Sequence, residues 1–311
     1  MPCNLNGLLV LPHLKIINAN LISGPLTYGF PAMTAFLGLA HNLERHFPNL
    51  PYTFVGTGVV CHQFTPQASR SGYMHTLHLN RYPVDSKGGA ASFVEDGRVH
   101  LEVSVVLGVR WRDGAYVTQE DAESLAESLL DAVQGMRVAG GSVIACAAKP
   151  LWQEMSEYEQ EQAEAFRPLR RKLLPGFALV DRSDLLRPRV EALRQLNASA
   201  SALDALLDIC ALHTEPHSNG ENACVWKTFR RNAGWIVPIP VGYRALSPLY
   251  AAGKVKNARD EVTPFRFVES IASLGEWKSP HRLHLPQELL WTYQINAHDG
   301  IYRCVTLAQS L

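Results

Sequence analysis

Apolar and polar residues in the first half of the chain alternate between the period of a strand and the period of a helix. The predicted strands cover residues 8–18, 52–61, 99–107 and 142–147, and the predicted helices cover 34–47 and 118–136. From Val99 to Leu107, apolar residues at odd positions alternate with His100, Glu102 and Ser104, which predicts a half-buried strand. Thr118 supplies an N-cap for the second helix, and Pro48 ends the first.

This order, β-α-β-β-α-β, is the ferredoxin-like pattern and predicts an α+β fold for a domain spanning residues 1–150. Many functions share that fold, so the pattern alone names none. The third strand offers Glu102 and Ser104 instead of the aromatic signature of RNA-recognition domains. RNA is therefore not expected to stack on the sheet face in the usual way.

A long segment, residues 64–98, separates the second and third predicted strands. It contains Arg81, Tyr82 and Pro83, followed by Lys87 and the two glycines at residues 88–89. Loops of this length in a compact domain are functional or disordered. We predict an inserted hairpin arm with a stiff neck and a loose tip.

The second half of the chain gives a weaker pattern. Residues 151–215 predict a helical segment, with a charged helix from Glu154 that Pro168 ends and a second helix near residues 203–210. Residues 213–222 predict a polar linker. Residues 216–311 predict a basic, proline-rich and irregular region that packs on the first domain.

Composition predicts a folded protein in the cytoplasm. With 47% hydrophobic and 19% charged residues in 311, the chain can bury a core. It has neither an apolar run long enough to cross a membrane nor a basic stretch before its first apolar run. The six cysteines are scattered, which predicts reduced thiols without a metal site or a cofactor.

Charge is balanced overall but unevenly distributed. Residues 118–164 carry ten acidic and two basic side chains, whereas residues 225–282 carry ten basic and four acidic ones. The net charge of zero argues weakly against a nucleic-acid protein. The basic C-terminal third could still bind a polyanion locally, and the alternative is two solvated faces.

The segment from Ile17 to Pro31 joins the first strand to the first helix. Asn18, Asn20, Ser23 and Thr27 offer amides and hydroxyls beside free N–H groups at a helix start. Such a place can hold a polar or anionic ligand. The alternative is a turn with ordinary capping chemistry.

Several long segments resemble one CRISPR family. They lie in collinear order at residues 18–38, 101–109, 136–143, 171–180, 234–243, 246–250, 257–260 and 274–282. They are similar to the Csy-two family, the Cas-five-type subunit of type I-F surveillance complexes, and they cover nearly the whole chain.

The resemblance implies a RAMP-type protein without catalysis that caps the five-prime handle of the CRISPR RNA. It also implies a heterodimer with a large Csy-one-type subunit and contact with a Csy-three-type backbone subunit. Target DNA would be met only through the complex. The arm would be a thumb that clamps the handle.

A second candidate RNA contact combines a glycine turn with the basic C-terminal third. We predict that Arg137, Gly140, Gly141 and Ser142 converge on one RNA path with Arg259, Arg266, His281 and Arg282. The alternative is ordinary ion pairing at the surface, of Arg259 with Asp260 or Glu261, of Arg266 with Glu269 and of Arg282 with Glu276.

Two other functions remain open on sequence grounds. One is an RNA endonuclease of the same superfamily, with His62, His75 or His281 as general acid or base. The other is a small-molecule enzyme on a ferredoxin-like scaffold. Neither is supported by a catalytic motif, because the chain contains no HExxH, phosphate-binding loop or nucleophile elbow.

Overall fold

The computed structural model describes residues 5–81, 87–90, 93–112, 115, 117–218, 224–258 and 260–309. The first half contains β1 Gly7–Asn20, β2 Ile22–Gly24, β3 Thr27–Tyr28, α1 Met33–His46, β4 Tyr52–Pro66, β5 Ala68–Ser71, β6 Met74–Leu77, β7 Leu79–Arg81, β8 Phe93–Glu95, β9 Arg98–Trp111, α2 Gln119–Gln134, β10 Arg137–Val138 and β11 Gly141–Cys146. The second half contains β12 Leu151–Glu154, α3 Glu159–Lys172, β13 Phe177–Asp181, α4 Leu186–Leu196, α5 Ala202–Cys210, β14 His213–Ser218, β15 Cys224–Phe229, β16 Trp235–Ala245, β17 Val268–Lys278, β18 Trp291–Asn296 and β19 Ile301–Thr306. Short 3₁₀ helices cover Ser183–Leu185, Pro280–Arg282, Pro286–Glu288 and Leu307–Gln309.

One large antiparallel sheet runs through both halves of the chain. Ten of its eleven strands follow the order β10-β11-β1-β9-β4-β13-β17-β16-β19-β18, and the eleventh, β12, pairs with β1. Strand β18 also pairs with β4. The fold is therefore mixed, with a large antiparallel sheet and several helices. The strands of the arm form two separate hairpins, β5–β6 and β7–β8.

The strongly periodic elements form as predicted. Helix α1 buries Met33, Phe36 and Leu43 against the sheet, and Thr118 caps α2 by accepting a hydrogen bond from the Asp121 N–H. Each predicted strand of the first half has its counterpart, and β9 alternates between buried and more exposed residues up to Val103, whereas residues 103–109 are all buried because both faces of the sheet are covered there.

Alternate residues of the central strands serve two cores on opposite faces of the sheet. Leu9 and Leu11 of β1 belong to the core covered by α1 and α2, whereas Leu8 and Val10 belong to the core that includes residues of α3. Within the described residues, no helix is both long and apolar enough to cross a bilayer.

The second half departs from the sequence-based prediction at its prolines. Helix α3 continues through Pro168 to Lys172, because Phe166 and Leu169 on either side are buried and hold the last turn. The predicted helix start at Glu154 is instead the end of strand β12.

The C-terminal third is more regular than predicted. Strands β16–β19 extend the main sheet, and the predicted linker begins with strand β14. Pro238 and Pro240 fit into β16 because this part of the strand pairs with β17 on one side, while β19 joins only at residues 242–244.

Candidate nucleic-acid interface

An aromatic groove opens where β4 separates from β13. The two strands pair only at Cys61–Phe177 and Val60–Ala178, after which β4 follows β9 alone. The resulting groove has a volume of about 380 Å³. Its aromatic lining consists of Tyr28, Phe30, Phe64, Phe177, Trp235 and Trp277.

The rings of the aromatic groove brace one another while several remain exposed. The Trp235 ring packs edge to face on Phe177 with centroids 5.4 Å apart, and Phe30 packs in the same way on Trp277 at 4.9 Å. Trp235 is nevertheless 53% exposed and Phe177 is 45% exposed. Fixed, open rings of this kind offer stacking surfaces for unpaired bases.

His62 forms the polar corner of the aromatic groove. Its Nδ1–H donates to the Pro175 carbonyl oxygen at 2.6 Å, so Nε2 accepts from the Ser104 hydroxyl at 2.7 Å. The ring also stacks on His13, with centroids 4.1 Å apart, and His13 Nδ1 lies 2.7 Å from Glu102 Oε1. Burial is the main cause that lowers the pKa of His62 below its ordinary 6.5.

This lowered pKa predicts acid sensitivity. As pH falls below 6.5, the unfolded chain protonates His62 while the folded chain resists, so the free energy of unfolding decreases until pH reaches the lowered folded pKa. We expect His62→Gln to flatten the decline of melting temperature between neutral pH and mildly acidic pH. Parallel slopes for wild type and His62→Gln would contradict the assignment.

A second polar site, here called the strand-end junction, brings two of the sequence-predicted regions together. It consists of Asn18, Asn20, Gln67, Arg98, His100 and the glycine turn at residues 140–141. Asn20 Oδ1 accepts from the Arg98 guanidinium at 2.9 Å, and the Asn20 amide packs directly over Gly140. Arg98 is also paired with Asp96 at 2.6 Å.

The group that lies close to the glycine turn at Gly141 is the protein's own backbone. A Cβ on Gly141 would come within 2.5 Å of the Ile17 carbonyl oxygen, because β11 pairs with β1 at this point. Ser142 sits opposite both Ile17 and Arg137 in the two ladders. The turn therefore positions Asn20, and β1 already occupies the space beside Gly141.

Ser23 and Thr27 lie on a different part of the opening segment. The Ser23 hydroxyl accepts from the backbone N–H of Ala32, the N-cap of α1. Thr27 is buried in the wall of the aromatic groove, and its hydroxyl has no hydrogen-bond partner among the described residues. Thr27 thus belongs with the groove and Ser23 holds the start of α1, whereas Asn18 and Asn20 belong with the strand-end junction.

The remaining predicted contacts are dispersed. Arg266 lies beside Gly300 between β16 and β19, with its Nε buried. His281 and Arg282 form an exposed 3₁₀ turn against α3, and His281 bonds to Ser279. Glu276 pairs with Arg182, at 2.6 Å, instead of pairing with Arg282. Arg81 ends β7, while Tyr82 and Arg259 lie outside the described residues.

Comparison with known proteins identifies the family. A profile of the CRISPR-associated protein family Cas_Csy2 matches residues 9–304. The chain belongs to the Csy2 family. It is also 42% identical over 315 residues to the CRISPR-associated protein Csy2 of Pseudomonas aeruginosa (strain UCBPP-PA14), covering 96% of this chain and 95% of that protein. The family named from the sequence, a subunit of type I-F Csy complexes, is confirmed.

The match to the Csy2 family spans the aromatic groove and the strand-end junction completely. Sequence reasoning found the junction asparagines and the glycine turn but missed the groove. The available signal was the aromatic pair Trp235 and Trp277, each at the end of an apolar strand, together with Phe177. Among the described residues, no group of three histidine, cysteine or acidic side chains is placed to hold a metal ion.

Proposed function

We propose that this Csy2-family chain is a non-catalytic RNA-binding subunit that holds the single-stranded five-prime handle of a CRISPR RNA. The aromatic groove is the observation that carries the proposal, because exposed rings fixed on a sheet suit splayed, unpaired bases better than a duplex. Thr27, predicted from the sequence, lies in its wall.

Neighbouring clefts extend the groove toward basic side chains. Thr27 and Pro240 are shared with a small cleft at Ser270, and Ser270 is shared in turn with a wide groove of about 950 Å³ that contains Arg244 and Arg303. We infer that the RNA backbone follows this line along β16, with phosphates at the arginines and bases on the rings.

The fold supports a ferredoxin-like assignment for the first 150 residues. Strands β1, β4, β9 and β11 correspond to the four strands of a β-α-β-β-α-β unit, and they are ordered β11-β1-β9-β4 with antiparallel neighbours. We infer a RAMP-type domain with the arm 64–98 as a thumb. The later segments, 151–215 and 216–311, would then extend its sheet.

An exposed apolar surface supports protein partners. Leu203 and Leu207 on α5 are 47% and 54% exposed, and Trp226 on the hairpin β14–β15 is 65% exposed. Leu203 and Leu207 lie four residues apart and so share one face of α5, and contiguous exposed apolar surface marks interaction sites. We infer that it binds the large Csy-one-type subunit as a heterodimer. A Csy-three-type backbone subunit would bind elsewhere, and the assembled particle would act on target DNA in the cytoplasm.

The contact between Ser104 and His62 does not favour the endonuclease alternative. The pair has the 2.7 Å separation of a nucleophile and its base, but Ser104 is fully buried and cannot reach a phosphate. The contact instead fixes the edge of the groove. A purely binding role therefore fits the geometry better.

The test is retention and integrity of a synthetic single-stranded handle RNA incubated with the full chain. We expect a gel shift with intact RNA and no shift with the same sequence in a duplex. Cleavage of repeat RNA by the chain alone, lost in His62→Ala, would support an endonuclease. Failure to retain RNA would favour a small-molecule enzyme, since the groove is apolar and lies beside a histidine of lowered pKa.

The proposed phosphate line gives a prediction about salt. Arg303→Ala should weaken handle binding for all sequences alike and reduce the slope of log affinity against log salt by roughly one unit. Arg187→Ala is the matched control, because Arg187 is exposed on α4 and pairs with Glu191. Arg266→Ala and Arg282→Ala test the sequence-based contacts in the same titration. A wild-type slope for Arg303→Ala would remove this groove from the RNA path.

A further inference from the structure

A β-bulge shapes the strand-end junction around Asn18. Two residues of β1, Ile17 and Asn18, oppose the single residue His100 of β9, because the register shifts between Ile16 and Ala19. Asn18 adopts a left-handed backbone with φ of 57°, which asparagine tolerates better than most residues. The bulge aims its backbone N–H at His100 Nδ1, 3.3 Å away, and leaves its side chain at the surface.

Gln67 completes a closed triad with these two residues. It follows β4 directly, and its N–H donates to the Arg98 carbonyl oxygen, which holds its backbone against β9. Its side-chain Nε2 position lies 2.5 Å from Asn18 Oδ1 and 3.1 Å from His100 Nε2. Three chain segments distant in sequence therefore meet through side-chain amides and one imidazole.

Hydrogen-bond polarity determines which way the two amides point. The Asn18 backbone N–H can only donate, so His100 Nδ1 must accept, and the hydrogen of the neutral ring lies on Nε2. His100 Nε2–H then needs an acceptor, which is the Gln67 side-chain oxygen. That oxygen in turn requires the Asn18 NH₂ group opposite it. Amide oxygen and nitrogen are assigned from such networks, and only this assignment avoids facing two donors.

The resulting triad leaves one acceptor and one donor available side by side. Asn18 Oδ1 and Gln67 NH₂ turn away from the internal bonds, and Asn18 and His100 are exposed. A small cleft of about 160 Å³, lined by Lys15, Gln63 and His100, lies next to them. Paired donors and acceptors on fixed side chains are how proteins recognise the edge of an unpaired base.

We propose that Asn18, Gln67 and His100 form a base-reading site for one unpaired nucleobase, with Asn18 and Gln67 contacting its edge and His100 positioning both amides. The proposal rests on the proposed function and adds two specificity-determining residues, Gln67 and His100, to it. It concerns a nucleobase and not a phosphate, since the two outward groups offer opposite hydrogen-bond polarity.

Isosteric variants separate reading from folding. Gln67→Glu keeps an oxygen toward both His100 Nε2–H and the Asn18 NH₂ group but replaces the outward donor with an acceptor. It should keep the wild-type melting temperature and weaken binding of intact handle RNA about tenfold, the upper end of the range for one hydrogen bond between neutral groups. Asn18→Asp would instead face the Gln67 oxygen with a carboxylate, so it should lower the melting temperature. Gln153→Ala is the control, because the Gln153 side chain donates to the Glu154 carbonyl oxygen and takes no part in the triad.

The decisive measurement uses a series of handle RNAs, each lacking one base, with the full chain. We expect one position at which removing the base costs wild type about tenfold in affinity and costs Gln67→Ala nothing further, whereas removing a base that stacks in the aromatic groove should weaken both proteins alike. Two results would overturn the base-reading site while leaving handle binding intact. In one, removing a base weakens Gln67→Ala as much as wild type at every position; in the other, Gln67→Ala binds intact RNA with wild-type affinity. A wild-type chain that binds none of the RNAs would overturn the proposed function and this site together.

Discussion

Trp235→Ala will weaken binding of single-stranded handle RNA by about 1–3 kcal/mol, the range for one base stacked on an aromatic side chain. Trp235 is 53% exposed in the aromatic groove, and its ring contacts those of Phe177 and Trp277. Because its face is open, removing it deletes a stacking surface without opening a cavity in the core. Melting temperature should therefore hardly change. Fluorescence anisotropy with labelled RNA measures the effect.

Trp226→Ala is the matched control for this prediction. Trp226 is also exposed, at 65%, but it lies on the hairpin β14–β15. Its loss should leave RNA affinity unchanged and should weaken association with the large subunit. Trp235→Phe should recover most of the RNA affinity, since a smaller ring still stacks. If Trp226→Ala weakened RNA binding and Trp235→Ala did not, the RNA would lie on the hairpin surface instead.

Local periodicity was sufficient to predict α1, α2 and β9, because the residues that each element buries recur at a regular spacing within one short segment. The aromatic groove could not be predicted in this way. Its walls come from β3 and the segment after it, β4, β13, β16 and β17, and they meet only because β13 and β17 join the sheet beside β4. The spacing of residues within one segment does not predict which distant strands will lie next to it.

The strand-end junction shows the same limit at a smaller scale. Asn20 and Gly140 were singled out from the sequence separately, as parts of two candidate sites. Their contact depends on the pairing of β1 with β11, which is set by the register of strands more than a hundred residues apart in the chain. The prolines of β16 led to the wrong prediction of an irregular region for a related reason. Composition does not show that Pro238 and Pro240 lie where the strand is paired on one side.

Trp291→Ala will lower the free energy of unfolding by about 3–5 kcal/mol, the usual loss when a buried aromatic is truncated to alanine. Trp291 is fully buried at the start of β18 and pairs with Thr57 of β4. Its indole N–H donates to the Leu179 carbonyl oxygen of β13 at 2.9 Å. The side chain thus joins strands β4, β13 and β18, which are far apart in the sequence, in one core.

The unfolding curve of this variant also tests how the chain is divided. If the C-terminal region completes the core of the first domain, denaturant should unfold wild type and Trp291→Ala in a single transition each, shifted as a whole. Trp291→Phe should lose less, because it fills most of the volume and gives up chiefly the hydrogen bond to Leu179, worth about 1 kcal/mol. Two transitions, of which only the later one moves in Trp291→Ala, would instead mean that residues 1–150 fold independently of β18. In that case the aromatic groove, whose walls come from both parts, would form only after the two had docked.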